Sequence, residues 1–87
     1  LQIKALTMVT PDSIKQSIIA GLACDFIEVG GDGHHFEAVI VSAAFEGKSR
    51  IQQHQLVYRT LGDRMREEIH ALSMKTFTPA QWAERQG

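Results

Sequence analysis

Cysteine is almost absent from this chain of 87 residues, which contains only Cys24. A single cysteine excludes an intramolecular disulfide, and it excludes a zinc or iron–sulfur site made of several thiolates from one chain. Because chains without disulfides are usual in reducing compartments, we expect a cytoplasmic protein. Any metal chemistry would have to come from histidines together with a second molecule.

Long apolar runs and a surplus of one charge are also missing. No run approaches the roughly 20 residues needed to span a bilayer, and we see no targeting segment, so we expect no membrane association. The net charge of −1 argues against a surface dominated by attraction to nucleic acid. The chain has no nucleophile with an identifiable base, no carboxylate pair and no phosphate-binding loop of the Walker type. We therefore predict that it is not an enzyme.

The length predicts one domain, over residues 10–87. Residues 1–9 show neither a helix cap nor a periodic pattern, and we interpret them as a disordered N-terminal extension or a cloning remnant.

A glycine-rich turn at residues 30–35 separates two runs, 26–29 and 36–41, that are rich in β-branched and aromatic residues. This pattern is typical of a β-hairpin, and its Asp-Gly pair is a strong turn signal. The backbone conformation of the turn does not require His34 and His35, which are at its end. These two adjacent imidazoles are therefore candidates for chemistry.

Two helix starts are visible before the last third of the chain. Thr10 and Pro11 fit an N-cap followed by the first helical position, and Ser49 can cap a longer helix over residues 50–67. Gly62 weakens the middle of that longer helix by about 1 kcal/mol, so we expect a kink or a break there. Its predicted buried stripe consists of Ile51, His54, Val57 or Tyr58, Leu61 and Met65.

The end of the chain predicts one more strand and one more helix. Residues 70–77 alternate so that His70, Leu72, Met74 and Thr76 share a face, and Thr78 and Pro79 begin a short C-terminal helix. A strand, a helix and a second strand favour parallel pairing, whereas the hairpin is antiparallel. The prediction is an α+β fold with the order α-β-β-α-β-α, in which helices pack on one face of a three-stranded mixed sheet.

Five segments of the sequence also form a larger pattern. They are GDGHHF at 31–36, VSAAFEGKSR at 41–50, QHQLVY at 53–58, IHALSMK at 69–75 and TPAQW at 78–82. In this order and spacing the segments resemble the BolA-like proteins, and the short loop makes the chain most similar to the short bacterial branch of that family. The resemblance covers nearly all residues from 10 to 85 and implies a class II KH-like fold.

The resemblance further implies a heterodimer with a monothiol glutaredoxin that shares a [2Fe–2S] cluster. In such complexes the glutaredoxin cysteine and its bound glutathione ligate one side, and the BolA-like partner supplies a histidine plus a second histidine or a cysteine. The histidine of the IHA segment corresponds to His70. His35, directly before the phenylalanine, matches the loop position, while His34 is equally able to bind a metal. Without its partner the chain is expected to be apo, and a monomer or a weak homodimer.

Each candidate also has a purely structural interpretation. His70 could bond a backbone carbonyl, and His34 and His35 could be solvated turn residues. Cys24 lies before the first strand rather than in the hairpin loop, so a small buried side chain fits it better than a cluster ligand. His54 lies on the predicted buried stripe, which favours a core or interface histidine over a ligand.

The alternative function is that of a KH-like, DNA-binding transcriptional regulator. The candidate contacts for a partner or for nucleic acid are Arg50, His54, Arg59 and Lys75. Acidic residues interleave with the basic ones, and the GGDG segment lies in a hairpin turn rather than between two helices. The sequence therefore favours the adaptor over the regulator.

Overall fold

The computed structural model describes residues 9–67, 69 and 71–86. His70 and most of the predicted N-terminal extension, residues 1–8, lie outside these described residues. In chain order, the elements are α1 (Pro11–Gly21), β1 (Phe26–Gly31), β2 (His35–Val41), a 3-10 turn (Ala43–Phe45), α2 (Arg50–Leu61), α3 (Arg64–Glu67), β3 (Ala71–Phe77) and α4 (Pro79–Gln86).

The three strands form one sheet in the order β1-β2-β3. The β1–β2 hairpin is antiparallel, with Phe26 opposite Val41, and β2 pairs with β3 in parallel, with His35 opposite Ala71. The predicted α+β fold with a three-stranded mixed sheet is confirmed.

The helix starts predicted at Thr10 and Ser49 are both capping boxes. At the start of α1, the Ser13 N–H donates to Thr10 Oγ1 over 3.1 Å, while the Thr10 N–H donates to Ser13 Oγ. Ser49 and Gln52 make the same reciprocal pair at the start of α2. Each box satisfies two of the backbone donors that a helix N-terminus leaves open, which is why the boundaries were readable from the sequence.

The predicted long helix is broken at Gly62, as the low helix propensity of glycine suggested. Gly62 has a φ of 55°, a left-handed conformation that favours glycine, and its N–H donates to the Tyr58 carbonyl. The short helix α3 follows and is tied to α1, because the Arg64 guanidinium donates to Ser17 Oγ over 2.6 Å and to Ser13 Oγ over 3.0 Å.

The buried stripe of α2 differs from the prediction. Gln53, Val57 and Leu61 face the core, whereas Ile51 is 70% exposed and Tyr58 is 39% exposed. Gln53 can replace an apolar residue because its polar atoms have partners. Its Nε2 donates to the carbonyls of Phe45 and Lys48, and its Oε1 accepts from the Thr76 hydroxyl.

The main core lies between the sheet and helices α1 and α2. It includes Ile14 and Ile18 of α1 and Phe36 and Ile40 of β2, all of which are fully buried. Leu72 and Met74 of β3 pack against this core, in agreement with the predicted alternation of that strand.

The last helix anchors on the face of the sheet opposite the main core. Trp82 of α4 stacks on Phe26 at 5.1 Å and contacts Phe77 at 5.3 Å between ring centroids. Phe26, Val41 and Phe77 form a row across the sheet that alternates with the row containing Ile40. The aromatic row therefore points away from α1 and α2, and α4 covers its end.

Gly31→Ala should destabilise the hairpin. Gly31 has a φ of 153°, and a Cβ there would press on the carbonyl oxygen of His35 and lie 2.9 Å from Phe36 Cα. We expect the free energy of unfolding, measured by urea denaturation, to fall by about 2 kcal/mol or more.

Gly30→Ala is the matched control for this substitution. A Cβ on Gly30 meets no atom within 4 Å, so we expect its effect to stay within about 1 kcal/mol. Equal losses for the two variants would contradict the steric explanation.

Candidate metal-binding and partner-binding sites

The hairpin turn holds the two candidate loop histidines by their backbone. Asp32 Oδ1 accepts hydrogen bonds from the N–H groups of His34 and His35, each over 2.9 Å. The Asp32 N–H in turn donates to the His35 carbonyl over 3.1 Å. Asp32 therefore closes the turn with its side chain, while the side chains of both histidines remain exposed.

These hydrogen bonds also favour the ionised form of Asp32. The donated N–H groups of His35 and His34 lower the pKa of Asp32, because they stabilise its ionised form. The turn thus carries a carboxylate directly beside two imidazoles at neutral pH.

The strand register determines where the loop histidines lie in the sheet. Phe36 is fully buried, so alternation sends His35 to the face opposite the core. His35 pairs with Ala71, the first residue of β3. His70 immediately precedes Ala71 in the sequence but lies outside the described residues, so its convergence with the loop histidines stays a prediction.

Cys24 lies towards the other end of the sheet. It precedes Phe26, which pairs with Val41, and Val41 is about 20 Å along β2 from His35 at about 3.3 Å per residue. Its Sγ donates to the Leu22 carbonyl and packs against the core. Burial, and secondarily the charge of Asp25, raise the pKa of this thiol, which disfavours the thiolate a metal would need.

Among the described residues, no three His, Cys, Asp or Glu side chains come together as a metal site. Within the same part of the chain, no helix is both long and apolar enough to cross a membrane.

Three of the four predicted contact residues meet in one place. Arg50, His54 and Lys75 line a cleft of about 430 Å³ between α2, β3 and α4, which we call the cationic cleft. Its lining is completed by Arg85, Met74, Thr76 and Phe77. Arg59 lies apart, in a separate depression beside Gln55 and Leu56.

Two further cations at this location were not among the predicted contacts. Arg85 of α4 lies over the Phe77 ring at 5.2 Å, and Lys48 lines an adjoining cleft of about 560 Å³ together with Arg50 and Arg85. Arg85 lies one helical turn after Trp82, so its helical spacing from an aromatic anchor was the available signal. The spacing of Trp82 and Arg85 does not show which strand the end of α4 contacts.

The environment of His54 follows from the same cleft. Burial lowers the pKa of His54, and the positive charge of Arg50 lowers it further. The imidazole is therefore neutral at physiological pH, and the cations of the cleft are its arginines and lysines.

Asp32→Ala should release the loop amides, whereas Asp32→Asn should keep them, because an amide oxygen also accepts hydrogen bonds. In the unmodified chain the folded pKa of Asp32 lies below its ordinary value of about 3.9. The contribution of Asp32 is therefore complete above that value and is lost as the pH falls through the lowered pKa. The pH dependence of the His34 and His35 amide chemical shifts measures the loss of these hydrogen bonds. Amide shifts that do not change as Asp32 titrates would contradict the prediction.

Arg50→Gln should raise the pKa of His54 only part of the way towards its ordinary value of about 6.5, because burial is the larger cause. The lowered pKa means that His54 reduces stability as the pH falls through the ordinary and then the folded pKa. An NMR titration measures the shift, and Arg59→Gln is the control that should leave it unchanged. An unaltered pKa in Arg50→Gln would refute the role of the arginine.

Comparison with known proteins agrees with this architecture. The family model described as "BolA-like protein" matches residues 1–81. The acid stress protein IbaG of Escherichia coli is 37% identical over 73 residues, which is 83% of this chain and 87% of that protein. The DNA-binding transcriptional regulator BolA of Haemophilus influenzae is 42% identical over 52 residues, 60% of this chain and 50% of that one.

A solved structure gives the same result at the level of the fold. The BolA protein homologue from Coxiella burnetii superposes with a TM-score of 0.75 and 48% sequence identity, over 87% of this chain and 99% of that one. The chain belongs to the BolA-like family.

Proposed function

We propose that this chain is an adaptor that binds a monothiol glutaredoxin and co-ligates a [2Fe–2S] cluster, acting in cluster trafficking or in iron and redox regulation. The observation that carries the proposal is the pairing of His35 with Ala71. It brings the loop that carries two exposed histidines beside the residue that follows His70. Membership of the BolA-like family supports it further.

The short distance between His35 and Ala71 allows a ligand from each segment to bind one metal site. Neighbouring Cα atoms are about 3.8 Å apart, and paired strands lie about 4.8 Å apart. Residue 70 is joined directly to Ala71, the strand partner of His35. Because His70 precedes the first residue of β3, the alternation of that strand does not assign its side chain to the face of Leu72. We infer that His70 and a loop histidine address one site.

The donor set fits half of a shared cluster rather than a whole one. Fe–S clusters ordinarily require four ligands, mostly thiolates, and the only thiol of this chain is partly buried and far from the hairpin turn. Two imidazoles from this chain would leave two positions for the glutaredoxin cysteine and glutathione. Histidine in place of cysteine supplies a higher reduction potential and sensitivity to protonation.

The exposed position of the loop suits a site completed by a second molecule. His34 and His35 are exposed, and Asp32 fixes their backbone without covering their side chains. A partner can approach from this end of the sheet without disturbing the core. His35 matches the family position, and His34 stays an equal candidate by exposure.

A DNA-binding regulator is the second candidate. The name of the Haemophilus influenzae relative supports it, although the match covers half of that protein. The cations of the cationic cleft also suit phosphate. We favour the adaptor because adjacent exposed imidazoles are metal donors, whereas phosphate binding relies chiefly on lysine and arginine side chains.

The adaptor is tested by reconstituting a [2Fe–2S] cluster anaerobically on a monothiol glutaredoxin with glutathione, adding this chain, and recording visible circular dichroism. We expect a new spectrum that saturates at equal concentrations of the two proteins. His70→Ala should abolish or alter that spectrum. His34→Ala and His35→Ala, tested singly, identify the loop ligand as the variant with the larger change.

His54→Ala is the control, because His54 is a histidine of the cationic cleft rather than of the hairpin end. It should give the unmodified spectrum. If the unmodified chain leaves the glutaredoxin spectrum unchanged and no complex forms in size-exclusion chromatography, the adaptor proposal fails.

A further inference from the structure

The outer edge of β3 is unpaired in the described part of the chain. The sheet order is β1-β2-β3, so β3 pairs with β2 on one side, and no described strand lies on the other. An edge strand presents backbone N–H and C=O groups that another chain can pair with.

The hydrogen bonds show which backbone groups face outwards. The Phe77 carbonyl accepts from the Ser42 N–H over 3.1 Å, and Ser42 directly follows β2, so the backbone groups of Phe77 face β2. In an extended strand the N–H and C=O of one residue point to the same side, and successive residues alternate. The backbone groups of Lys75 therefore face β2, and those of Met74 and Thr76 face the outer edge.

The cationic cleft opens along this same edge. Met74, Lys75, Thr76 and Phe77 are consecutive, and all four line it. Consecutive side chains of a strand project to opposite faces of the sheet, so one cleft can touch all four only if it runs along the strand's edge. Helix α2 forms one wall of the cleft, and α4 closes its end.

The charge of the cleft is one-sided. Among the described residues that line it, Arg50, Lys75 and Arg85 are cationic and none is acidic, and His54 is neutral there. The adjoining cleft adds Lys48 and a single acid, Glu84. In a chain of net charge −1, this is a local concentration of positive charge. Met74 and Phe77 add apolar surface between the cations.

We propose that the outer edge of β3 binds an extended, acidic segment of a partner protein, which adds to the sheet as a fourth strand. Main-chain bonds to Met74 and Thr76 would supply affinity, and carboxylates facing Arg50, Lys75 and Arg85 would supply specificity. Met74 and Thr76 lie about 10 Å and about 16 Å along β3 from Ala71, so the inference goes beyond the proposed cluster site and does not rest on it.

Charge complementarity favours this occupant over a second copy of the chain. Edge-to-edge pairing of two copies would bring Lys75, Arg50 and Arg85 close to the same cations of the other copy, and opposed like charges destabilise strand pairs. A nucleic acid shares the negative charge but makes no strand hydrogen bonds to Met74 and Thr76. Hydrogen bonding to the backbone of Met74 and Thr76 therefore distinguishes an acidic peptide from a nucleic acid by experiment.

The test uses a fluorescein-labelled peptide of alternating glutamate and valine, measured by fluorescence anisotropy with the full 87-residue chain. Two further peptides carry N-methyl groups on alternate backbone nitrogens, in one register or the other. We expect one methylated peptide to lose binding and the other to keep it, because only one edge of the peptide pairs with β3. Hydrogen exchange of the Met74 and Thr76 amides should slow on binding.

Charge variants test the second half of the proposal. Lys75→Glu and Arg50→Glu should each weaken peptide binding by about fivefold, as for partly exposed ion pairs. Arg59→Glu is the matched control, since Arg59 is on the same helix as Arg50 but outside the cleft, and it should leave the affinity unchanged. Circular dichroism verifies that each variant is folded.

Three results would overturn the proposal. Equal binding of both methylated peptides would mean attraction by charge alone. A single-stranded DNA oligonucleotide that displaces the peptide without protecting the Met74 and Thr76 amides would assign the cleft to nucleic acid. Absence of any binding would mean that Lys75 protects the edge against pairing, as lysine does on many edge strands.

Discussion

Hydrogen bonding along both edges of β2 is the constraint on which the rest of this structure depends. The strand pairs with β1 on one side and with β3 on the other, so its register sets the position of the hairpin turn relative to β3. It aligns His35 with Ala71 at one end and Val41 with Phe77 at the other. The buried side chains of Phe36, Ala38 and Ile40 hold that register, because a shift by one residue would turn them away from the core.

The two ends of the sheet have different chemistry. At the hairpin end, Asp32 fixes the backbone of two exposed histidines and leaves a carboxylate beside them. At the other end, Arg50 of α2 and Arg85 of α4 flank the edge of β3, which itself carries Lys75. Cys24, the only thiol, belongs to neither group of functional candidates, and its partly buried position fits a packing role.

Local signals in the sequence predicted most of the fold. The capping residues Thr10 and Ser49, the hairpin glycines and the break at Gly62 all act through partners within a few positions, so their effect is readable in a short window. The exposure of His34 and His35 follows from the same kind of local pattern. The proposed glutaredoxin partner and the proposed cluster come from the family resemblance rather than from any local signal.

What the sequence did not predict depends on distant partners. Gln53 is buried because Phe45, Lys48 and Thr76 satisfy its polar atoms, and Thr76 is 23 residues away. Without that information, the apolar Ile51 was the natural choice for the core. The cationic cleft was missed as a unit for the same reason, since Arg50, Lys75 and Arg85 come from three elements that only the folded chain brings together.

The strict alternation of β3 also limits how this protein can change. Leu72 and Met74 must face the core while Lys75 and Phe77 face away from it, so inserting or deleting one residue within the strand would exchange the two sets. The distance between the histidine end and the cationic end is therefore a fixed length of the fold. A partner that contacts both ends must match that length.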